Sequence, residues 1–428
     1  MYPSTSRTRV SLAAAVVALV AAGCTGTTSD SDDDGDSGGP QTIKWLIEEP
    51  EDAEALQALE DHIAEDFTAE SDVTVEIDTL PFENMRTVLQ TQLRSGEGPD
   101  VFNWGSGPGF GGALAENGLL LDLTDAYEEN GWEVFDFAKE TVTVDGKVYG
   151  VPGELETIGV FYNEDMFDEL GLEVPESLAD LEAAAAAATE AGAVGMAAPD
   201  QEGWEGGHYL SMALASAAGP EEMLAIINGE QSWDSPSVVE AFELWQDYNE
   251  AGYLSESPTA VDYDTAIAEF WSGGAAMIPT GSWLVGELDD NADFEVGYIP
   301  FPAPDGQGTF TAGLGSGPYV SATTDHEEAA IEFVDFLASE DHAAWTVENL
   351  HTIPPVPIDT EGLDVSPLFA EVLASTAELA ETGDFGHNID VMVSDAVNEA
   401  MYNGFQGVLT GQMTPEEAAA GMADAAAS

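Results

Sequence analysis

Carboxylates, an indole and a hydroxyl stand where the ends of two predicted strands would hold them. The run "TIKWLI" (residues 42–47) is followed by Glu48 and Glu49, while "DVFNW" (residues 100–104) ends on Trp104 and is followed by Ser106. The carboxyl ends of such strands place Glu48, Glu49, Trp104 and Ser106 near a ligand cleft. Paired carboxylates serve glycoside hydrolysis, but with 83 Asp plus Glu in 428 residues such pairs arise by chance and decide nothing. The sequence has no Gly-x-Ser-x-Gly elbow, and its six histidines lie far apart, without His-Glu-x-x-His or comparable metal-ligand spacing. Neither an enzyme activity nor a metal or cofactor is expected.

The elements that must position these residues follow from periodicity. After residues 42–47, residues 53–69 place Leu56, Leu59, Ile63 and Phe67 on one face of a helix. "VTVEIDTLP" reads as the next strand, residues 83–94 as a helix and residues 100–104 as a third strand. This βαβαβ order implies an α/β fold with a parallel sheet, whose ligands sit beyond the carboxyl ends of the strands. A second α/β region begins at "IGVFYN" and runs through an Ala-rich helix, residues 178–191, to the strand "AAMIP". A chain of this length divides into two lobes rather than enlarging one core.

The formal net charge is −76, yet 44% of the residues are hydrophobic, so the chain is folded rather than an acidic disordered polymer. Acids spread along the whole sequence repel one another in dilute buffer, and at molar salt, with a Debye length of about 3 Å, that repulsion is screened. Adaptation to brine is expected. Apart from Arg7 and Arg9, the cations are Lys44, Arg86, Arg94, Lys139 and Lys147. So few exclude nucleic-acid binding, which needs a basic surface, and disfavour an anionic ligand. A neutral or cationic one is expected.

The only cysteine, Cys24, follows Arg7 and Arg9, the apolar stretch 12–20 and the small residues Ala21, Ala22 and Gly23. That order is an export signal, here residues 1–23, too short for a permanent span. Cys24 resembles the acylated cysteine of a lipobox, with Ala21 where Leu or Val is more usual. Residues 24–41 then form a lipidated, flexible acidic tether. Within it Asp30, Asp32, Asp34 and Gly35 open like a calcium loop, but Gln41 replaces the closing Glu and no helix flanks the segment. The expected localisation is the outer face of the cell membrane.

"GPDVFNWGSGPGFGGALAENGLLLDLT" (98–124), "DGKVYGVPGELETIGVFYNEDMFDELGLEVPESLADL" (145–181), "FWSGGAAMIPTGSW" (270–283), "GSGPYVSATTDHEEAAIEFVDFLAS" with "TIPPV", and "LTGQMTPEEAAAGMADA" follow in a single order. That order resembles the extracellular solute-binding proteins of sugar ABC transporters, in the branch that includes maltose-binding proteins. The resemblance implies a two-lobe periplasmic-binding-protein-like fold of type II, each lobe a mainly parallel sheet with flanking helices, closing by hinge motion. It implies crossings near residues 154–158, 298–302 and 353–357. The first lobe would comprise residues 42–154 and 303–353, the second 157–300 and 357–428. The implied partners are a neutral carbohydrate or polyol and the membrane permease, with the receptor itself a monomer.

Matched residue by residue, the family's sugar contacts fall on Glu49, Trp104, Glu156 and Trp283, with Trp104 and Trp283 sandwiching a ring from opposite lobes. Trp204, in "QEGWEGGHY", stands where the family often places another aromatic. Ser106, Gly107 and Pro108 replace an acid and a basic residue of the maltose type, and no Trp, Tyr or Phe occurs in residues 394–397. A smaller or differently shaped polyol remains open, with His387, Asn388 and Asp390 at its rim and Gly313 in "GLGSG" letting backbone approach it. The alternatives are a compatible solute such as glycine betaine in an aromatic cage, and an extracellular glycoside hydrolase.

Overall fold

Local pattern and burial together explain why the described chain builds two large sheets beside a two-stranded ribbon of β4 and β5. The computed structural model describes residues 41–49, 53–356, 363, 365–382 and 385–428. The export signal, Cys24 and most of the acidic tether lie outside the described residues. The strands are β1 (Gln41–Glu48), β2 (Val73–Leu80), β3 (Val101–Gly105), β4 (Thr143–Val144), β5 (Lys147–Val148), β6 (Leu155–Asn163), β7 (Val194–Met196), β8 (Ala275–Gly281), β9 (Val296–Ile299), β10 (Thr311–Leu314), β11 (Ser316–Val320) and β12 (Gly386–His387).

The first sheet has the order β11-β3-β1-β2. Its β1 pairs in parallel with both β2 and β3, as the βαβαβ pattern requires. Ile43, Trp45, Leu46 and Ile47 are all buried, so β1 is covered on both faces and reads as a nearly continuous apolar run. Helices Ala53–His62 and Phe82–Ser95 return the chain between these strands. The fourth strand, β11, arrives from far along the sequence and pairs antiparallel with β3, setting Gly317 opposite Trp104.

The second sheet has the order β12-β10-β6-β8-β7, with β9 also on β6. Eight of the nine residues of β6 are buried, which marks it as the central strand. One edge of β6 pairs with β10 and then β9, the other with β8, all antiparallel, while β7–β8 and β10–β12 are parallel. This sheet is therefore mixed rather than mainly parallel, because its central strand enters from the other lobe against the direction of its neighbours. Two buried clusters cover its faces: Trp245, Phe405 and Leu210 lie in one, Phe161, Phe270 and Phe369 in the other.

The chain passes from the first sheet to the second just before β6. The second crossing differs from the expected residues 298–302. Phe301 and Phe310 are buried in the second lobe, the Leu178 N–H donates to the Ala303 carbonyl at 3.1 Å, and β10 pairs with β6. Residues 303–314 thus stay with the second sheet, and the chain crosses at Gly315, between β10 and β11. Burial of Phe301 and Phe310 in the cores of the second lobe holds the segment there. The last described crossing runs beside the first, where the Leu155 N–H donates to the Ile353 carbonyl at 2.7 Å.

Among the described residues no helix is long and apolar enough to cross a membrane.

Candidate ligand-binding site

Alternation along β6 sends Glu156 and Ile158 to one face of the second sheet and Leu155 and Thr157 to the other. Gly313 of β10 pairs with Glu156. The Asn388 backbone N–H donates to the Ala312 carbonyl at 2.9 Å, and Asn388 packs its Cβ against Gly313.

The helix Trp204–Ala218 supplies the wall facing this edge. It is buried continuously from Glu205 to Ala215, as a helix surrounded by its own lobe must be. Trp204 and His208 are four residues apart and share one side of it. The His208 Nε2 stands 3.3 Å from Asp390 Oδ2 and 3.3 Å from Asn388 Nδ2. One turn further on, the Ser211 hydroxyl accepts the Ile389 N–H at 3.0 Å and so fixes the segment that carries Asn388 and Asp390.

Trp283 closes the group. Its indole N–H donates to the Tyr263 hydroxyl at 2.7 Å, which lies 2.8 Å from the Thr280 hydroxyl. Trp204 meets Tyr263, His208 and Trp283 edge-on, at centroid distances of 4.8, 5.1 and 6.3 Å. Gly281 is required here: a Cβ on it would come within 1.9 Å of the Trp283 ring.

The structure thus places Glu156, Gly313, Asn388, Asp390, Trp204 and Trp283 toward one end of the second sheet. The remaining candidates lie in the first lobe. Trp104 is 7% exposed, belongs to the first core and packs edge-on against Phe110. That leaves its ring little surface for stacking a sugar opposite Trp283. Ser106 is fully buried, whereas Glu49 is exposed, its N–H donating to the Leu80 carbonyl at 2.9 Å.

Burial and like charge govern the carboxylates. Glu154 is pushed up to about 6 by loss of hydration. Glu156 is raised well above the usual carboxylate range by the same cause, and then by the charges of Glu154, Asp390 and Glu48. Glu48, at the end of β1, lines a second cavity together with Glu154. Burial alone lowers His387 and favours its neutral form.

A cavity of ≈440 Å³ lies between the lobes, with Glu156, Gly313 and His387 on one side and Gly107 and Pro108 on the other; Trp204, Trp283, Asn388 and Asp390 stand behind its wall rather than on it. Its volume falls within the range of small-ligand sites. The lobes touch at its rim, where Val391 packs against the first core and its carbonyl lies over Gly107. No group of three or more His, Cys, Asp or Glu among the described residues is arranged to hold a metal ion.

Sequence reasoning passed over Glu154, His208 and Tyr263. The four-residue spacing from Trp204 to His208 in "WEGGH" was the available signal for one of them. Nothing local marks Tyr263, which comes from a separate helix, Tyr263–Trp271.

Two α/β lobes, joined by crossing segments, face each other across a cavity. The chain belongs to the bacterial extracellular solute-binding protein family, whose profile matches residues 62–358. It is 28% identical over 276 residues to an uncharacterized ABC transporter extracellular-binding protein of Pyrococcus horikoshii, a match covering 63% of this chain and 62% of that protein's length. It is 27% identical over 396 residues to the galactooligosaccharide-binding protein of Bacillus subtilis, covering 89% of this chain and 87% of that one. A solved structure titled as a chitin oligosaccharide binding protein superposes with a TM-score of 0.76 at 25% identity, covering 89% of this chain and 97% of its own.

Proposed function

We propose that the chain is the receptor of an ABC importer that captures a carbohydrate or polyol between its two lobes and delivers it to a membrane permease. The observation that carries this reading is the grouping of Trp204, Trp283 and Tyr263 with His208, Asn388 and Asp390 at one end of the second sheet, with Glu156 on the wall of a cavity shared with the first lobe. Flat aromatic faces and oxygen acceptors are what a sugar ring needs. The sugar ligands named for relatives such as the galactooligosaccharide-binding protein support the same class. Lipid attachment through Cys24 would hold the receptor at the outer membrane surface, and the acidic composition suits it to brine.

A thermal-shift screen of the purified chain in about 2 M potassium chloride, where surface charge is screened, tests the ligand class. Mono-, di- and trisaccharides, polyols, betaine and peptides are compared. A ligand at 100 times its dissociation constant adds about 2.7 kcal/mol of stability. Stabilisation by sugars or polyols supports the reading; stabilisation by betaine or peptides alone overturns it. With the sugar so identified, Trp283→Ala is expected to weaken binding by about tenfold or more. An unchanged dissociation constant removes Trp283 from the contact surface. For the anchor, Cys24→Ser is expected to move the protein from the membrane to the soluble fraction of expressing cells, and continued membrane partitioning refutes acylation there.

A further inference from the structure

Carboxylates from separate elements face one another at the lobe crossing, and among the described side chains no lysine or arginine stands with them. Gly315 marks the convergence, since a Cβ on it would lie 2.3 Å from Glu156 Oε1 and 2.6 Å from Glu154 Oε1. Asp390 and Glu48 bring further negative charge to Glu156 from the short helix Ile389–Met392 and the end of β1. Glu140 lies on the same cavity wall. Facing groups able to carry positive charge are His208, next to Asp390, and His387 of β12, which burial disposes to be neutral.

The described basic side chains are placed elsewhere. Lys147 pairs with Asp122 at 2.7 Å, Lys139 sits 4.4 Å above the Tyr127 ring, Arg94 bonds Asn117 at 3.1 Å, and Lys44 is exposed on β1.

A second observation concerns hydrogen bonding. Asp390 and Asn388 are 6% and 2% exposed, and the Oδ1 atom of each is buried with no hydrogen-bond partner. Both atoms are acceptors, and a buried acceptor without a donor is costly. These acceptors are matched by N–H or O–H donors, and the surrounding charge is matched by a cation.

A bare metal ion is a poor match, since no suitable ligand group is assembled among the described residues. A quaternary ammonium such as betaine brings charge but no N–H. A neutral sugar brings O–H donors but no charge. A protonated primary amine on a sugar ring brings both, and the ≈440 Å³ cavity gives the ring room beside Glu156.

Resting on the sugar-receptor reading, we propose that the preferred ligand is an aminated sugar whose ammonium sits among Glu154, Glu156 and Asp390 and donates to the unpartnered Asp390 oxygen. On binding, the ammonium keeps its three N–H bonds. The proton that neutralises the carboxylate cluster in the empty site leaves to the buffer, so charge balances and no bond is made or broken in the sugar.

Titration calorimetry on the purified chain tests this with three β-1,4-linked glucose-type disaccharides that differ only at C2, bearing an amine, an N-acetyl group or a hydroxyl. The amine is expected to bind about tenfold tighter than the hydroxyl compound, with a heat that depends on the buffer's protonation enthalpy. Raising the salt from about 0.1 to about 2 M separates this from general attraction to an acidic surface, because a desolvated site is screened far less. Glu156→Gln and Asp390→Asn are each expected to weaken binding of the amine at least about tenfold more than binding of the hydroxyl compound, with circular dichroism showing that the variants fold; an equal loss for both compounds overturns the inference. If the hydroxyl or N-acetyl compound binds as tightly as the amine, or the preference vanishes at high salt, this inference is overturned and the sugar receptor stands. If no sugar in the wider screen binds, both fall.

Discussion

Gly107→Val is expected to cost about a hundredfold in ligand affinity while leaving both lobes folded. Gly107 has φ +87°, and a Cβ there would lie 1.7 Å from the Val391 carbonyl oxygen. The obstructing atom is backbone, so no side-chain rotation relieves the clash. The first-lobe loop must instead withdraw from the second lobe at the rim of the cavity. A receptor that binds by closing loses affinity in proportion to the loss of its closed population, and disfavouring closure by roughly 3 kcal/mol gives that hundredfold. Gly118→Val is the control: Gly118 also has a positive φ, +68°, with nothing within 4 Å of its would-be Cβ. It carries a similar backbone strain without the clash, and its affinity should stay near wild type. Calorimetry gives the affinities, and small-angle scattering with ligand should show a larger radius of gyration for Gly107→Val alone. Equal affinities for the two variants would refute the idea that this contact is a closing surface.

Glu205→Gln is expected to stabilise the protein by roughly 3 kcal/mol at pH 7, with a gain that grows as pH rises. Asp200 is 0% and Glu205 1% exposed, and both Glu205 carboxylate oxygens are buried without a donor. Burial first, then proton sharing with Glu202 and the nearby Asp200 charge, push Glu205 up to about 10. The sign follows from proton counting. Between the unfolded value of about 4.5 and the folded value of about 10, the folded state holds a proton that the unfolded chain has released, so stability falls as pH rises through that window. A glutamine has no proton to lose, and its N–H groups can donate to the partnerless Asp200 oxygen. Denaturation in about 2 M potassium chloride at pH 6 to 9, with surface charge screened, should show a flatter dependence for the variant. Parallel curves for the two proteins would show that Glu205 does not carry the proton.

Much of the fold was legible because it is written locally. The Ala-rich helix is Leu178–Ala191 as its pattern predicts, β1, β2 and β3 fall within two residues of their apolar runs, and the parallel first sheet follows from their order. Family membership was equally legible, since ordered blocks of sequence survive where individual contacts change. The site was legible only in part. Glu156, Asn388 and Asp390 stood out as residue types in suggestive places, but Trp104 reads identically in sequence whether it faces a ligand or packs on Phe110.

What the sequence determined by itself, then, was the alternation of strands and helices, the division into two α/β regions, the scarcity of cations and the family. Only the tertiary structure decided that Gly315 separates a strand of one lobe from a strand of the other, that β6 lies antiparallel to its neighbours, and that His208 meets Asp390. The reason is physical. Helical and strand periodicity reports which face of an element is apolar, whereas the partner that covers the face is chosen by packing between segments far apart in the chain.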